Sequence, residues 1–126
     1  MKHVSTNAAP AAIGPYSQAM IVGNVVYTSG QIPLDPINAA VTGTCINEQT
    51  NQVIANLQEV LKAANSSIEN VFKTTCFLAN MSDFPEFNSV YERYFSSKPA
   101  RSCVSVKELP RNVLIEIEVC ALINAS

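Results

Sequence analysis

Tryptophan is absent from the 126 residues, histidine occurs once and glycine only four times. Each scarcity excludes something. One histidine, His3, on an N-terminal segment expected to fray, cannot build a histidine-rich zinc site, and it supports a Cys-His nucleophile poorly. The four cysteines, Cys45, Cys76, Cys103 and Cys120, include no C-x-x-C pair. Metal sites and redox dithiols favour that short spacing, so reduced thiols, most of them buried, are expected instead, with no metal. Charge is also thin: charged residues are 14% of the chain, eight basic against ten acidic, for a net charge of −2. With a pI near 5.3 and no run of Lys or Arg, nucleic acid is not an expected partner, because phosphate binding draws on a basic stripe. No apolar run reaches the ~18 residues of a spanning helix. The N-terminus lacks the cationic, apolar and small-residue pattern of a secretory signal. A cytoplasmic protein without a membrane partner is therefore expected.

Apolar side chains, by contrast, make up 48% of the sequence. A chain this long suits a single domain over residues 1–126, able to bury roughly 65–70% of its unfolded surface in one core. So few charges for so much apolar material hint that part of the surface is covered by other subunits.

Residues 1–18 are rich in Ala, Pro, Ser and Asn and read as an extended arm. Pro15 stiffens it and turns Gly14 away from helix. Tyr16 is thus presented from a firm backbone, either to pack on a sheet edge or to meet a ligand. Ala19–Val22 and Val25–Ser29 flank Gly23-Asn24 and read as a hairpin. Gly30 ends the second strand or admits a close backbone approach, and Ile32–Thr44, with two prolines and Gly43, is a loop. Ile46–Ala64 repeats Val53, Leu57, Val60, Leu61 and Ala64 at helical steps, with Thr44 expected as N-cap and Asn65 in the left-handed position after the C-terminus. Val71–Asn80 is apolar or β-branched on both faces and suits a central strand, with Val71, Lys73, Thr75 and Phe77 on one side. Asp83-Phe84-Pro85-Glu86 has the spacing of a capping box and opens a second helix to Phe95. That helix carries an aromatic stripe for packing, with Asn88 off its centre and able to face a pocket. Strands from Arg101 and over Val113–Ile123 complete a β-β-α-β-α-β-β order. This is an α+β sandwich with both helices on one face of the sheet and the other face left for self-association.

The last two strands hold the residues around which a site can be organised. Side chains alternate along a strand, so Arg101, Cys103 and Ser105 share a face. Val113, Ile115, Ile117, Val119 and Ala121 make an unbroken apolar row, with Glu116 and Glu118 on its reverse. A carboxylate between Leu114 and Ile117 on a central strand is poorly solvated and is a site candidate. Composition alone favours the plainer reading of a half-solvated strand face.

Gly14-Pro15-Tyr16-Ser17-Gln18-Ala19, Thr28-Ser29-Gly30-Gln31-Ile32-Pro33, Pro99-Ala100-Arg101-Ser102 and Ile115-Glu116-Ile117-Glu118 together resemble the reactive intermediate deaminase family, RidA or YjgF. Glu48-Gln49-Thr50, Asn56-Leu57 and Asn88-Ser89-Val90-Tyr91 fall between them in matching order. The resemblance implies a chorismate-mutase-like fold, assembled as a homotrimer with a central barrel-like core and pockets at the subunit interfaces. It implies hydrolysis of 2-imino acids to 2-oxo acids and ammonia, with no cofactor and no metal. It assigns Arg101 to the substrate carboxylate, for which a bidentate guanidinium fork is suited as lysine is not. Glu116 is assigned to activating water, and Tyr16 to a hydroxyl contact. Ser29 and Gly30 line the pocket, Cys103 offers its backbone N–H, and Asn88 stands behind or beside the substrate. Asn65, where relatives usually have glycine, and the Asn38-Ala39-Ala40 loop depart from the family pattern. Neither touches this set. Ribonuclease or translation-inhibitor activity, and non-catalytic binding of small carboxylates or a chaperone-like surface, are the competing readings.

Overall fold

The computed structural model describes residues 1–125. Six strands and two helices follow one another: β1 (Lys2–Val4), β2 (Ala19–Val22), β3 (Val25–Thr28), α1 (Ile46–Ala63), β4 (Val71–Leu78), α2 (Phe84–Tyr94), β5 (Ala100–Ser105) and β6 (Ile115–Leu122). The strands form one mixed sheet in the order β1-β2-β3-β6-β4-β5. Only β4 and β5 run parallel, joined by the crossover through α2; the other pairs are antiparallel. Both helices pack on one face, the chorismate-mutase-like arrangement expected from the sequence.

The core lies between the helices and every second residue of the central strands. Ile115, Ile117, Val119 and Ala121 of β6 and Thr74, Cys76 and Leu78 of β4 are buried against Val53, Leu57, Val60 and Leu61 of α1 and Phe87 and Tyr91 of α2. The alternate residues face away from the helices. Paired residues share a face, so Glu116, Phe77 and Val104 form one cross-strand row there, and Glu118, Thr75 and Ser102 the next. Val22, Tyr27, Phe72, Val104 and Leu122 remain 45–46% exposed on this bare side.

Local chemistry explains where the chain departs from expectation. β1 is an additional strand: Val4 is buried, and His3 pairs with Met20 while its Nδ1 lies 2.7 Å from Ser17 Oγ. The terminus expected to fray is thus held by a ladder and a side-chain bond. Cys45 rather than Thr44 takes the N-cap of α1, with no side-chain cap. The Glu48 carboxylate reaches back instead to accept the Thr44 N–H at 3.0 Å, and this bond holds its pKa below the usual carboxylate range. At the other end Asn65 adopts φ 59°, and the Asn65 and Ser66 amides donate to Lys62 O and Leu61 O, the two bonds of a Schellman closure. The capping box of α2 does not form. Asp83 sits in a 3-10 turn with helical φ and ψ, whereas an N-cap side chain needs extended backbone to fold over the first amides. A bulge at Phe72 shifts the register between Val71 and Lys73, so Val71 is buried with Thr74 instead of sharing the Lys73 side. The thiols also differ from expectation: Cys76 is buried, Cys103 and Cys120 are half-buried, Cys45 is exposed, and all four are free.

Candidate functional site

Arg101 stands on β5, the edge strand, and points to the helix side. Its Nη1 donates to Asn88 Oδ1 at 2.7 Å. Its Cζ lies 4.7 Å from the centroid of the Tyr91 ring and 5.4 Å from that of Phe84. Two aromatic faces and an amide oxygen therefore fix the guanidinium while leaving most of its donors free. The platform is itself fixed: the Tyr91 and Thr74 hydroxyls are 2.8 Å apart in the core. Phe84, Asn88 and Tyr91 follow one another at helical steps of four and three residues along α2. The sequence thus carries a signal for this aromatic platform, although its periodicity alone predicts only packing. Asn88, Tyr91, Phe95, Lys98 and Pro99 enclose an open cleft of about 440 Å³ beside Arg101.

Cys103 shares the Arg101 face. Burial pushes its thiol pKa up, against a smaller lowering by Arg101, and burial takes the adjacent Cys76 to about 12. Both sulfurs are protonated at neutral pH and are poor nucleophiles. The main chain is better placed. Val106 N–H donates inward to Leu78 O, so strand alternation turns the Cys103 amide to the outer edge, on the side away from β4.

Glu116 points to the bare face. It is half-buried, and its pKa is raised first by burial and then by Glu118 two residues on. Gly30 lies against its carboxylate; a Cβ at that position would overlap Glu116 Oε2 and approach Cδ to 2.8 Å. Here the absence of a side chain is a steric requirement. Gly30 is fixed by its neighbour: the Gln31 N–H donates to Ile117 O and Gln31 O accepts from the Ile117 N–H. Ser29 Oγ donates to Ser17 O at 2.6 Å, which ties the N-terminal arm to the end of β3. Tyr16 is 53% exposed on that arm, and its ring lines the same pocket as Gly30.

The expected residues therefore form two clusters. Arg101, Asn88 and the Cys103 amide lie on the helix side of the β5 edge. Glu116, Gly30 and Tyr16 lie at the end of β3 and β6, with Ser29 behind them. Thr74 pairs with Arg101 and Phe77 with Glu116, so β4 separates the two strands and their side chains leave opposite faces. One chain cannot bring this arginine and this carboxylate to one substrate. Two chains can, if the β5 edge of one meets the bare face of another.

The sequence model of the endoribonuclease L-PSP family matches residues 6–123. The mitochondrial protein MMF1 of Saccharomyces cerevisiae is 52% identical over 94% of this chain and 82% of its own, and its crystal structure superposes with a TM-score of 0.93. The YjgF gene product of E. coli gives a TM-score of 0.92 at 40% identity, covering 97% of this chain and 98% of that one. E. coli TdcF, solved with bound serine, gives 0.93 at 36% identity over 98% and 100% of the two chains.

Proposed function

The chain belongs to the endoribonuclease L-PSP family, and from that premise we propose that it is a cofactor-independent deaminase converting 2-imino acids such as 2-iminopropanoate and 2-iminobutanoate to 2-oxo acids and ammonia. The working unit in this reading is a homotrimer in the cytoplasm, with each site shared by two chains. Arg101, steadied by Asn88, takes the substrate carboxylate in a bidentate grip, and the outward Cys103 amide adds a third donor. Glu116 of the adjoining chain accepts a proton from water as the oxygen adds to the C=N carbon. It passes that proton to the nitrogen, giving the carbinolamine, and then carries the proton of the new hydroxyl to the amino group as the C–N bond breaks, so that ammonia leaves and the carbonyl remains. Tyr16 hydrogen-bonds the substrate, and Gly30 keeps the Glu116 carboxylate close to the pocket. The serine bound by TdcF, an α-amino carboxylate, is in keeping with a site for a small amino or imino acid.

One observation carries this reading: a guanidinium held ready by Asn88 and two rings, and a carboxylate whose pKa is raised, are complementary yet lie on opposite faces of the sheet. Subunit complementation tests it. Arg101→Ala and Glu116→Gln chains are each expected to be inactive in an assay that couples a serine or threonine dehydratase to 2-oxo acid formation. Co-refolded in equal amounts, they regain about a quarter of wild-type activity, because one site in four combines an intact arginine with an intact glutamate from its neighbour. No recovery, with mixed assemblies present, refutes the shared site. Wild-type protein that leaves imine hydrolysis at its spontaneous rate refutes the deaminase.

The family's ribonuclease name supports a second reading. The net charge of −2 argues against RNA as substrate. RNA cleavage abolished by Arg101→Ala would favour it nonetheless.

A further inference from the structure

Gly30, which abuts the Glu116 carboxylate, also lines a pocket of about 210 Å³ between the N-terminal arm, the Gly30–Leu34 segment and the turn before β6. That is space for several waters, and so for a short branched aliphatic group. Its apolar walls include Ile13, Ile32 and Leu34, and Tyr16, Gln18 and Arg111 add polar groups. Gln31, only 6% exposed, lines it with a side-chain amide that no described residue takes up.

One wall residue, Arg111, is tied to a second loop by a contact between two unusual backbone positions. Ala39 and Arg111 both adopt φ 58°, and Asn112 follows at 55°. The left-handed region costs a non-glycine residue of order 1 kcal/mol. Arg111 Nη1 donates to Ala39 O at 3.0 Å, joining the two loops across the sequence. Strain of this kind persists where the surroundings hold it, as the bond between Arg111 and Ala39 does here.

We infer that this pocket receives the side chain of the substrate and sets which 2-imino acids are turned over; the inference rests on the deaminase reading above. A substrate whose reacting carbon faces Glu116, with its carboxylate toward the neighbouring chain's arginine, has one direction left for its third substituent. That direction passes Gly30 and Tyr16 into this cavity. Ile13, Ile32 and Leu34 select a short aliphatic chain. The Gln31 amide tolerates a neutral polar tip, and Arg111 in the wall disfavours a cationic one. Each methylene buried in such a pocket changes kcat/KM by about ten-fold or more.

The test compares imines generated in situ from alanine and leucine by an L-amino-acid oxidase, in wild type and in Ile13→Trp and Ala11→Trp. Ile13 is 74% exposed and Ala11 is exposed, so either indole can be accommodated by the fold while its bulk enters the pocket. Wild type is expected to process the leucine-derived imine at least as well as the alanine-derived one. In each variant the leucine-to-alanine ratio of kcat/KM should fall about ten-fold or more, and binding of the leucine-derived 2-oxo acid, measured by calorimetry, should weaken in parallel. A ratio within two-fold of wild type in both variants overturns the assignment while leaving the deaminase standing. Wild-type protein inactive on the alanine-derived imine overturns both.

Discussion

The two faces of the sheet are made by the same strands and behave as different materials. Along β6, Ile115, Ile117 and Val119 lie against the helices with 2% exposure or less, while the residues between them, Glu116 and Glu118, leave the other way. The covered face carries the arginine at its edge, gripped by an amide and two rings. The bare face carries the carboxylate among Tyr27, Phe72, Val104 and Leu122, each about half-exposed. The helix layer supplies stability within one chain. Within one chain the bare layer leaves apolar surface and a partly desolvated acid without the cover that the helices give the other face.

The strongest way to break this comparison is at the edge. Arg101→Ala should lower kcat/KM for 2-imino acids by about 2–5 kcal/mol, a factor of tens to thousands, because a fixed charged donor pair is lost. Arg101→Lys should recover little, since a point charge does not reproduce the planar fork. Activity within two-fold of wild type in either variant would place the carboxylate grip elsewhere.

Truncations on the two faces sharpen the contrast. Ile117→Ala opens a cavity under α1 and should lower the free energy of urea unfolding by about 2–5 kcal/mol. Leu122→Ala, two and a half turns of the alternation away on the bare side, should lower it by under about 1 kcal/mol for the isolated chain. Its larger effect should be on sedimentation, as a shift towards monomer. Equal losses from the two would mean that the faces do not differ in the way described.

A smaller effect separates charge from packing on the bare side. Burial and Glu118 raise the Glu116 pKa, so the folded chain binds that proton more tightly than the unfolded one. Its contribution to stability is fully present below the unfolded value and is lost as pH rises through the folded one. Glu116→Gln cannot ionise. It should match wild type in melting temperature near pH 4 and exceed it by a few degrees near pH 8, while turnover is lost. A variant less stable than wild type at pH 8 would show that the carboxylate is stabilised rather than strained. Least of all, Thr50→Val inside the covered layer should be neutral or slightly stabilising in the same urea titration, within about 1 kcal/mol, because the buried Thr50 hydroxyl has no partner among the described residues. A clear loss would reveal a hidden bond.

Periodicity made much of this legible in advance. The alternation of β6, the stripe of α1, the Gly23 turn, with φ 62°, and the left-handed Asn65 are short-range consequences of residue type. β1 leaves no mark in the sequence because three residues in an Ala- and Pro-rich arm carry no period; only their pairing with β2 makes them a strand. Capping at both helices is not legible from residue type alone, because an N-cap depends also on the backbone leading into the helix. At the site, alternation said which neighbours Arg101 and Glu116 share. It did not say that the two point apart, since that depends on the register in which β5, parallel, and β6, antiparallel, each pair with β4, setting Arg101 opposite Thr74 and Glu116 opposite Phe77. Pairing partners are a property of the whole sheet and leave no local mark.

That single parallel pairing has a corollary. A parallel neighbour requires a return path, and here the path is α2, so the arginine and all that steadies it (Thr74, Phe84, Asn88, Tyr91) descend from one continuous piece of gene, residues 71–105. The pocket around Glu116 is stitched from distant segments. The support of the arginine therefore depends on one contiguous segment, whereas the carboxylate's surroundings depend on stretches far apart in the sequence.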